Sequence, residues 1–229
     1  MNASKRYRYA TLIVLLGTLV LAACGTSTLR HLDEDKVSSG KKDFVALAQQ
    51  DISCKPTDSG CNQRHLIKGD ACFRLAKQAD GTKDRFLCAV DHLGLGIQQT
   101  SNWREGEIDL NRAQTHENLL ESLRLLQDME RGQEATARAR QLMEQAKTFL
   151  SVEPGNLAGI YFLSSARLSL LQPQLFLTPV PTQVCGEFKS ILTDLQGAEP
   201  RASGTRYEPN YRQLILDVSG TRAAVPACE

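Results

Sequence analysis

Leu150-Ser151-Val152-Glu153-Pro154-Gly155-Asn156 joins two apolar-periodic runs through a sharp turn. Proline cannot continue the helix that ends there, and Gly and Asn tolerate the left-handed backbone of a tight reversal. Before the turn, residues 133–150 read as an Ala-rich helix with Leu142, Ala146, Phe149 and Leu150 on its later face. After it, residues 157–171 place Ile160, Tyr161, Leu163, Leu168 and Leu171 at helical spacing. Two helices joined by so short a turn must run antiparallel.

The same pattern repeats outward. Toward the N-terminus, residues 110–130 carry Ala113, Leu119, Leu120, Leu123, Leu125, Leu126 and Met129, and Gly132 breaks the run. Earlier still, residues 61–78 present Leu66, Ile67, Ala71 and Leu75, with Ala79 continuing the face. Asp80-Gly81-Thr82 turns the chain into a helix over 83–98 with Phe86, Leu87, Val90 and Leu93. Residues 100–106, with the single Trp103, form a connection, and a short helix is predicted over 43–50. On the other side, Pro173, Pro179 and Pro181 make an irregular segment. Helices are predicted over 183–195 and 209–218, with residues 221–229 as loop. No run alternates with the period of two that a strand requires. The chain is predicted to be all-α.

Three helix pairs result, over 62–98, 110–150 and 157–195. Their spacing is that of α-solenoid units. The segment 150–156, followed by Ile160, Tyr161, Leu163 and Ser164, is similar to the junction between tetratricopeptide repeats. Leu66, Gly69 and Ala71, with Phe86, Ala89 and Val90, look like a more degenerate copy. The resemblance implies antiparallel helix pairs stacked as a tetratricopeptide-like α-solenoid. The alternative is a non-repetitive bundle with the same buried faces.

The N-terminus has a different composition. Lys5, Arg6 and Arg8 precede an apolar run from Tyr9 to Leu21, and Leu21-Ala22-Ala23-Cys24 closes it. A basic region, an apolar core and small residues in that order form an export signal. The apolar core, residues 10–23, is shorter than the ~20 residues that a spanning helix needs. A cysteine directly after Leu-Ala-Ala resembles the lipobox of bacterial lipoproteins. That resemblance implies cleavage before Cys24 and lipid on Cys24, with three acyl chains anchoring the protein durably. It also implies the outer membrane, periplasmic side, because Gly25 stands where an aspartate tends to retain such proteins in the inner membrane. The domain reading is therefore a signal peptide over 1–23, a flexible tether over 24–42, rich in Ser, Thr, Gly and charge, and a helical-repeat domain over 43–229.

The leader takes three of the 27 basic residues and none of the 26 acidic ones, leaving a mature net charge of about −2. No basic excess points to nucleic acid. Apart from Cys24, six cysteines remain: Cys54, Cys61, Cys72, Cys88, Cys185 and Cys228. An even number in an exported chain predicts disulfides, which six cysteines can make in fifteen ways. Cys54 and Cys61 flank a Lys-Pro-Thr-Asp-Ser-Gly loop and can close it as a small ring. Cys72 and Cys88 stand at similar height on either side of the Asp80-Gly81-Thr82 turn. Cys185–Cys228 follows by elimination and would pin the tail. Exchange of partners between the first two pairs is the alternative.

Several constellations could carry chemistry. Cys61 with His65, and Cys88 with His92, each set a thiol and an imidazole one helical turn apart. Two such pairs face to face would make a Cys2His2 zinc site. An oxidising compartment favours disulfides and solvated histidines instead, so no metal or cofactor is expected. His116-Glu117 lacks the second histidine of a zinc hydrolase motif, because residue 120 is Leu. Glu105, Glu107 and Asp109 beside Trp103 suggest paired carboxylates and an aromatic platform, or simply a solvated loop entering a helix. The sequence thus predicts no catalytic residue. The lipoprotein and tetratricopeptide resemblances together imply a lipid-anchored envelope scaffold or assembly factor that binds another envelope protein through a helical-repeat groove, such as an accessory of a secretion system or pilus. An envelope hydrolase acting on cell-wall glycan or peptide is the alternative.

Overall fold

The structure, a computed structural model, describes residues 28–78, 81–99 and 110–228. Among these the regular elements are all helical, and no strand forms. Helix α1 covers 28–40 and α2 Phe44–Gln49. The pair α3 (Cys61–Gln78) and α4 (Lys83–Gln98) follows. Then come α5 (Arg112–Met129), α6 (Gly132–Val152) and α7 (Leu157–Leu171). A 3-10 turn, Gln172–Phe176, leads toward α8 (Gln183–Ala202) and α9 (Glu208–Ala223). A last 3-10 turn spans Pro226–Cys228.

From α2 to α9 each helix packs on its successor, and lesser contacts join α3 to α5, α5 to α7 and α7 to α9. Contacts thus run between near neighbours in the chain, as expected of helix pairs linked by short turns. One core runs from Cys72 and Phe86 through Leu123, Leu142 and Phe149 to Ile191, Tyr211 and Val218. A smaller cluster, Leu32, Leu47, Leu66, Ile67 and Ala71, lies beneath α1 and α2.

The Glu153–Asn156 turn forms as its residues require. Gly155 takes φ +84°, a left-handed value that a Cβ disfavours. The Asn156 backbone N–H donates to the Glu153 carbonyl at 3.1 Å, and the Asn156 side chain accepts from the Gly159 N–H at 3.2 Å, capping α7. Arg201, from α8, donates to the Gly155 carbonyl at 2.8 Å and ties the turn to the next hairpin.

Helices α3 and α4 approach closely through two glycines. A Cβ on Gly69 would lie 2.7 Å from the Leu93 backbone nitrogen, and one on Gly96 2.5 Å from the Leu66 side chain. Each glycine thus seats a leucine of the facing helix, and both leucines are buried.

The structure makes Cys54–Cys61, Cys72–Cys88 and Cys185–Cys228, with Cα–Cα separations of 5.8, 5.9 and 5.1 Å. Cys72 and Cys88 do meet at matched height across the first hairpin.

Four expectations need correction. First, the 24–42 segment expected as a flexible tether is helical over 28–40, and Leu32 and Asp35 are buried. Its anchor is the Asp35 carboxylate, which accepts from Arg64 Nε at 2.7 Å with both side chains almost wholly enclosed. Second, α8 continues past Gly197 and Pro200, because Leu195, Ala198 and Ala202 are buried and packing overrides local propensity. Third, α9 runs to Ala223, and Val225 and Cys228 of the expected loop are buried. Fourth, the apolar spacing of α5 and α7 would turn Leu123, Leu163 and Leu168 inward, yet Leu163 is only half-buried and Phe162 is the enclosed neighbour, while Leu123 and Leu168 are inside.

Candidate functional site

The alternate-helix contacts bring side chains of α5, α7 and the start of α9 onto one surface. Arg124 sits between Leu123 and Leu125 in α5, so one helical step separates a buried leucine from the groove. Its guanidinium donates to the Tyr161 hydroxyl at 2.9 Å and to the Asp128 carboxylate at 3.1 Å. Tyr161 in α7 is the centre of a ring cluster. It meets Phe162 edge-on at 5.1 Å, Tyr211 at 6.2 Å and Tyr207 at 6.4 Å between centroids. Such pairings favour a fixed arrangement of rings beyond the area that they bury. Tyr211 is fully enclosed and donates to the Leu157 carbonyl at 2.8 Å. Burial raises its hydroxyl and that of Tyr207 above the ordinary phenol range, so both remain neutral, Tyr211 as a donor and Tyr207 accepting from Arg206.

Between these elements lies a groove of about 220 Å³ lined by Glu121, Arg124, Leu125, Tyr161, Arg206, Tyr207 and neighbours. Arg206 lies over the Tyr207 ring, 5.1 Å from its centroid, and pairs with Glu117. Lys77 pairs with Glu121 at 2.6 Å. The groove thus carries charges of both signs beside aromatic rings. Rigid rings and guanidinium groups give contact area at small entropic cost, a composition enriched where proteins bind one another. A larger open trough, about 1060 Å³, lies between the start of α6 and the Gln172–Phe176 turn. Among the described residues Phe176 is its only aromatic one, and no ring cluster comparable to that around Tyr161 lines it.

The residues singled out from sequence are distributed elsewhere. Cys24, and with it the lipobox, lies outside the described residues, as do Ala79, Asp80, Trp103, Glu105, Glu107 and Asp109. Glu117 is engaged by Arg206. His116 is buried and stacked on Phe149, with centroids 4.6 Å apart and planes 5° from parallel. Desolvation lowers it from 6.5 to about 4, with a further push from Arg112. Among the described residues no helix is long and apolar enough to cross a membrane.

The two Cys–His pairs do not face each other as four ligands, because Cys61 and Cys88 are taken by separate disulfides. Nor are the histidines solvated. His65 is buried, and its Nδ1 lies 2.8 Å from Nδ1 of His92, with the rings stacked at 5.0 Å. Desolvation first, then Lys68, lowers both imidazoles; Arg64 adds to this at His65, and the adjoining His65 ring adds to it at His92, which falls to about 4. At neutral pH the pair is uncharged, one ring donating and the other accepting.

The groove residues Arg124, Arg206 and Tyr207 were not singled out from sequence. The available signals were Arg124 inside a leucine run and the i, i+4 pair Tyr207 and Tyr211 at the start of α9. Comparison with family models, with curated proteins and with solved structures finds no match.

Proposed function

We propose that this chain is a lipid-anchored envelope scaffold or assembly factor that binds another envelope protein through the groove between α5, α7 and α9. The observation that carries the reading is the Tyr161 ring cluster, with the Arg124 guanidinium on the Tyr161 hydroxyl and the Arg206 guanidinium over the Tyr207 ring. A partner that fits is an extended segment or helix bearing an aromatic or aliphatic anchor flanked by both charge signs. The alternating helix contacts support a tetratricopeptide-like arrangement, in which one helix of each pair contributes to a shared face. The leader and Cys24 support attachment to the outer membrane from the periplasmic side, through acyl chains on that cysteine.

Groove and anchor are tested together by complementation. Tyr207→Ala with Arg124→Ala should reproduce the phenotype of deleting the gene while the protein keeps its helical circular dichroism and its membrane fractionation. Full complementation by that folded double variant contradicts the groove as the working surface.

A further inference from the structure

The corner where α3 begins holds a second cluster that the groove does not use. The Cys54 and Cys61 sulfurs and a ring nitrogen of His65 lie within 4.8 Å of one another. His92 approaches His65 from α4, with its Nδ1 2.8 Å from that of His65, although it lies outside that group of three. Cys61 and His65 share one face of α3, whereas Cys54 lies on the turn-rich loop before it.

We propose that this corner is a redox-gated metal site, at which Cys54, Cys61, His65 and His92 take one zinc-class divalent ion after a dithiol reductant opens the Cys54–Cys61 bond. The chemistry balances. A dithiol gives two electrons and two protons to the disulfide, leaving two thiols here and a disulfide on the reductant. Metal binding then releases the two thiol protons to solvent, because thiolate is the ligand.

Distances, charge and access support the assignment. A tetrahedral ion with Zn–S of ~2.3 Å and Zn–N of ~2.0–2.1 Å needs ligand edges of about 3.3–3.8 Å. The two sulfurs and a His65 nitrogen already lie within 4.8 Å of one another, and His92, outside that group but 2.8 Å from His65, moves in as the fourth ligand. The sulfurs must move from bonding distance to an edge of about 3.8 Å, a shift that the Pro- and Gly-containing loop can take up. In the oxidised state the corner offers two neutral rings and an uncharged disulfide. Lys68 adds positive potential, since it depresses both histidines. A dication gains little there. Reduction adds two thiolates, which cancel the ion's charge. Cys54 is half-exposed, as are Cys88 and Cys185 in the other two bonds, but of these three only Cys54 lies on a loop rather than on a helix, so its bond can open without unwinding a helix.

The test uses the mature folded chain and cobalt(II) as probe. Graded phosphine reduction with alkylation mapping should open Cys54–Cys61 first. The reduced chain should then bind one cobalt, with a thiolate charge-transfer band and the visible spectrum of a tetrahedral site, and one equivalent of zinc should displace it. His65→Gln and His92→Gln should each weaken zinc binding by roughly tenfold or more. Cys54→Ser should lose part of the charge-transfer intensity. The proposal is overturned if another disulfide opens first, or if the reduced chain shows no thiolate band. Binding that is equally tight in the oxidised chain or in both histidine variants overturns it too. So does loss of helical circular dichroism on reduction that zinc fails to restore.

Discussion

Replacing Asp35 by Ala tests whether residues 28–40 belong to the folded domain. Asp35 is 2% exposed and its partner Arg64 4% exposed, with the carboxylate 2.7 Å from Arg64 Nε. Removing one member of an enclosed ion pair leaves the other charge desolvated, at a cost of ~3–5 kcal/mol. The chain has a way to limit that cost. Helix α1 contributes one fully buried leucine, Leu32, worth ~1.5–3 kcal/mol, so it can detach and let water reach Arg64. The loss should therefore saturate at the docking free energy of α1, and local opening should precede global unfolding. Urea denaturation followed by circular dichroism measures the global loss. Hydrogen exchange read by mass spectrometry on a peptide covering 28–40 measures the local one. Asp35→Ala should lower stability by about 2–4 kcal/mol and strip protection from that peptide. Asp35→Leu with Arg64→Met, which removes both charges and keeps volume, should return to within about 1 kcal/mol of the parent. A single-variant loss under about 0.5 kcal/mol with unchanged exchange would refute the docked helix and restore the tether.

Three further outcomes follow from the packing, the buried histidines and the leader. His116 binds its proton at about 4 in the folded chain and at the ordinary 6.5 when unfolded, so the unfolded state takes up more protons as pH falls through that window. Stability should be full above pH ~6.5 and fall by about 2 kcal/mol at pH 5 on account of this residue, a slope that His116→Gln should flatten in pH-dependent urea titrations. Gly69→Ala puts a methyl 2.7 Å from the Leu93 backbone nitrogen, and overpacking of ~1–3 kcal/mol should exceed the ~1 kcal/mol gain in helix propensity. A melting temperature that stays level or rises speaks against the close α3–α4 approach. Cys24→Ser should abolish palmitate labelling and leave the protein unprocessed or released from the membrane; unchanged outer-membrane fractionation, with no lipid on the parent, contradicts the anchor.

Much of the architecture was legible because it rests on local chemistry. Pro154, Gly155 and Asn156 specify a turn and a cap within four residues of one another, and α7 starts where they place it. The Cys72–Cys88 bond could be read from counting residues on either side of one turn, since both cysteines sit on helices of regular rise. Helix α1 was not legible. Residues 28–40 carry only Leu29, Leu32 and Val37 as large apolar side chains, and the buried anchor is an aspartate whose partner is 29 residues away. Composition reads such a segment as solvated, because it cannot report a charge that is matched in space. The C-terminal ends of α8 and α9 escaped for a related reason. Gly197, Pro200 and Gly220 are breakers by propensity, and only tertiary burial of Ala198, Ala202 and Val218 outweighs them. The groove depended on non-adjacent helices. Arg124 and Tyr161 are 37 residues apart, and no periodicity within α5 or α7 shows that they will meet.

Site-specific photocrosslinking in living cells tests the binding groove most directly. A photoreactive residue is placed at exposed Asn210, on the groove rim, and at exposed Lys147 on α6 as control. The account predicts one discrete adduct with an envelope protein from position 210, none from position 147, and loss of the adduct when Tyr207→Ala is added. No adduct from position 210, or one that survives Tyr207→Ala unchanged, contradicts a groove that captures a partner.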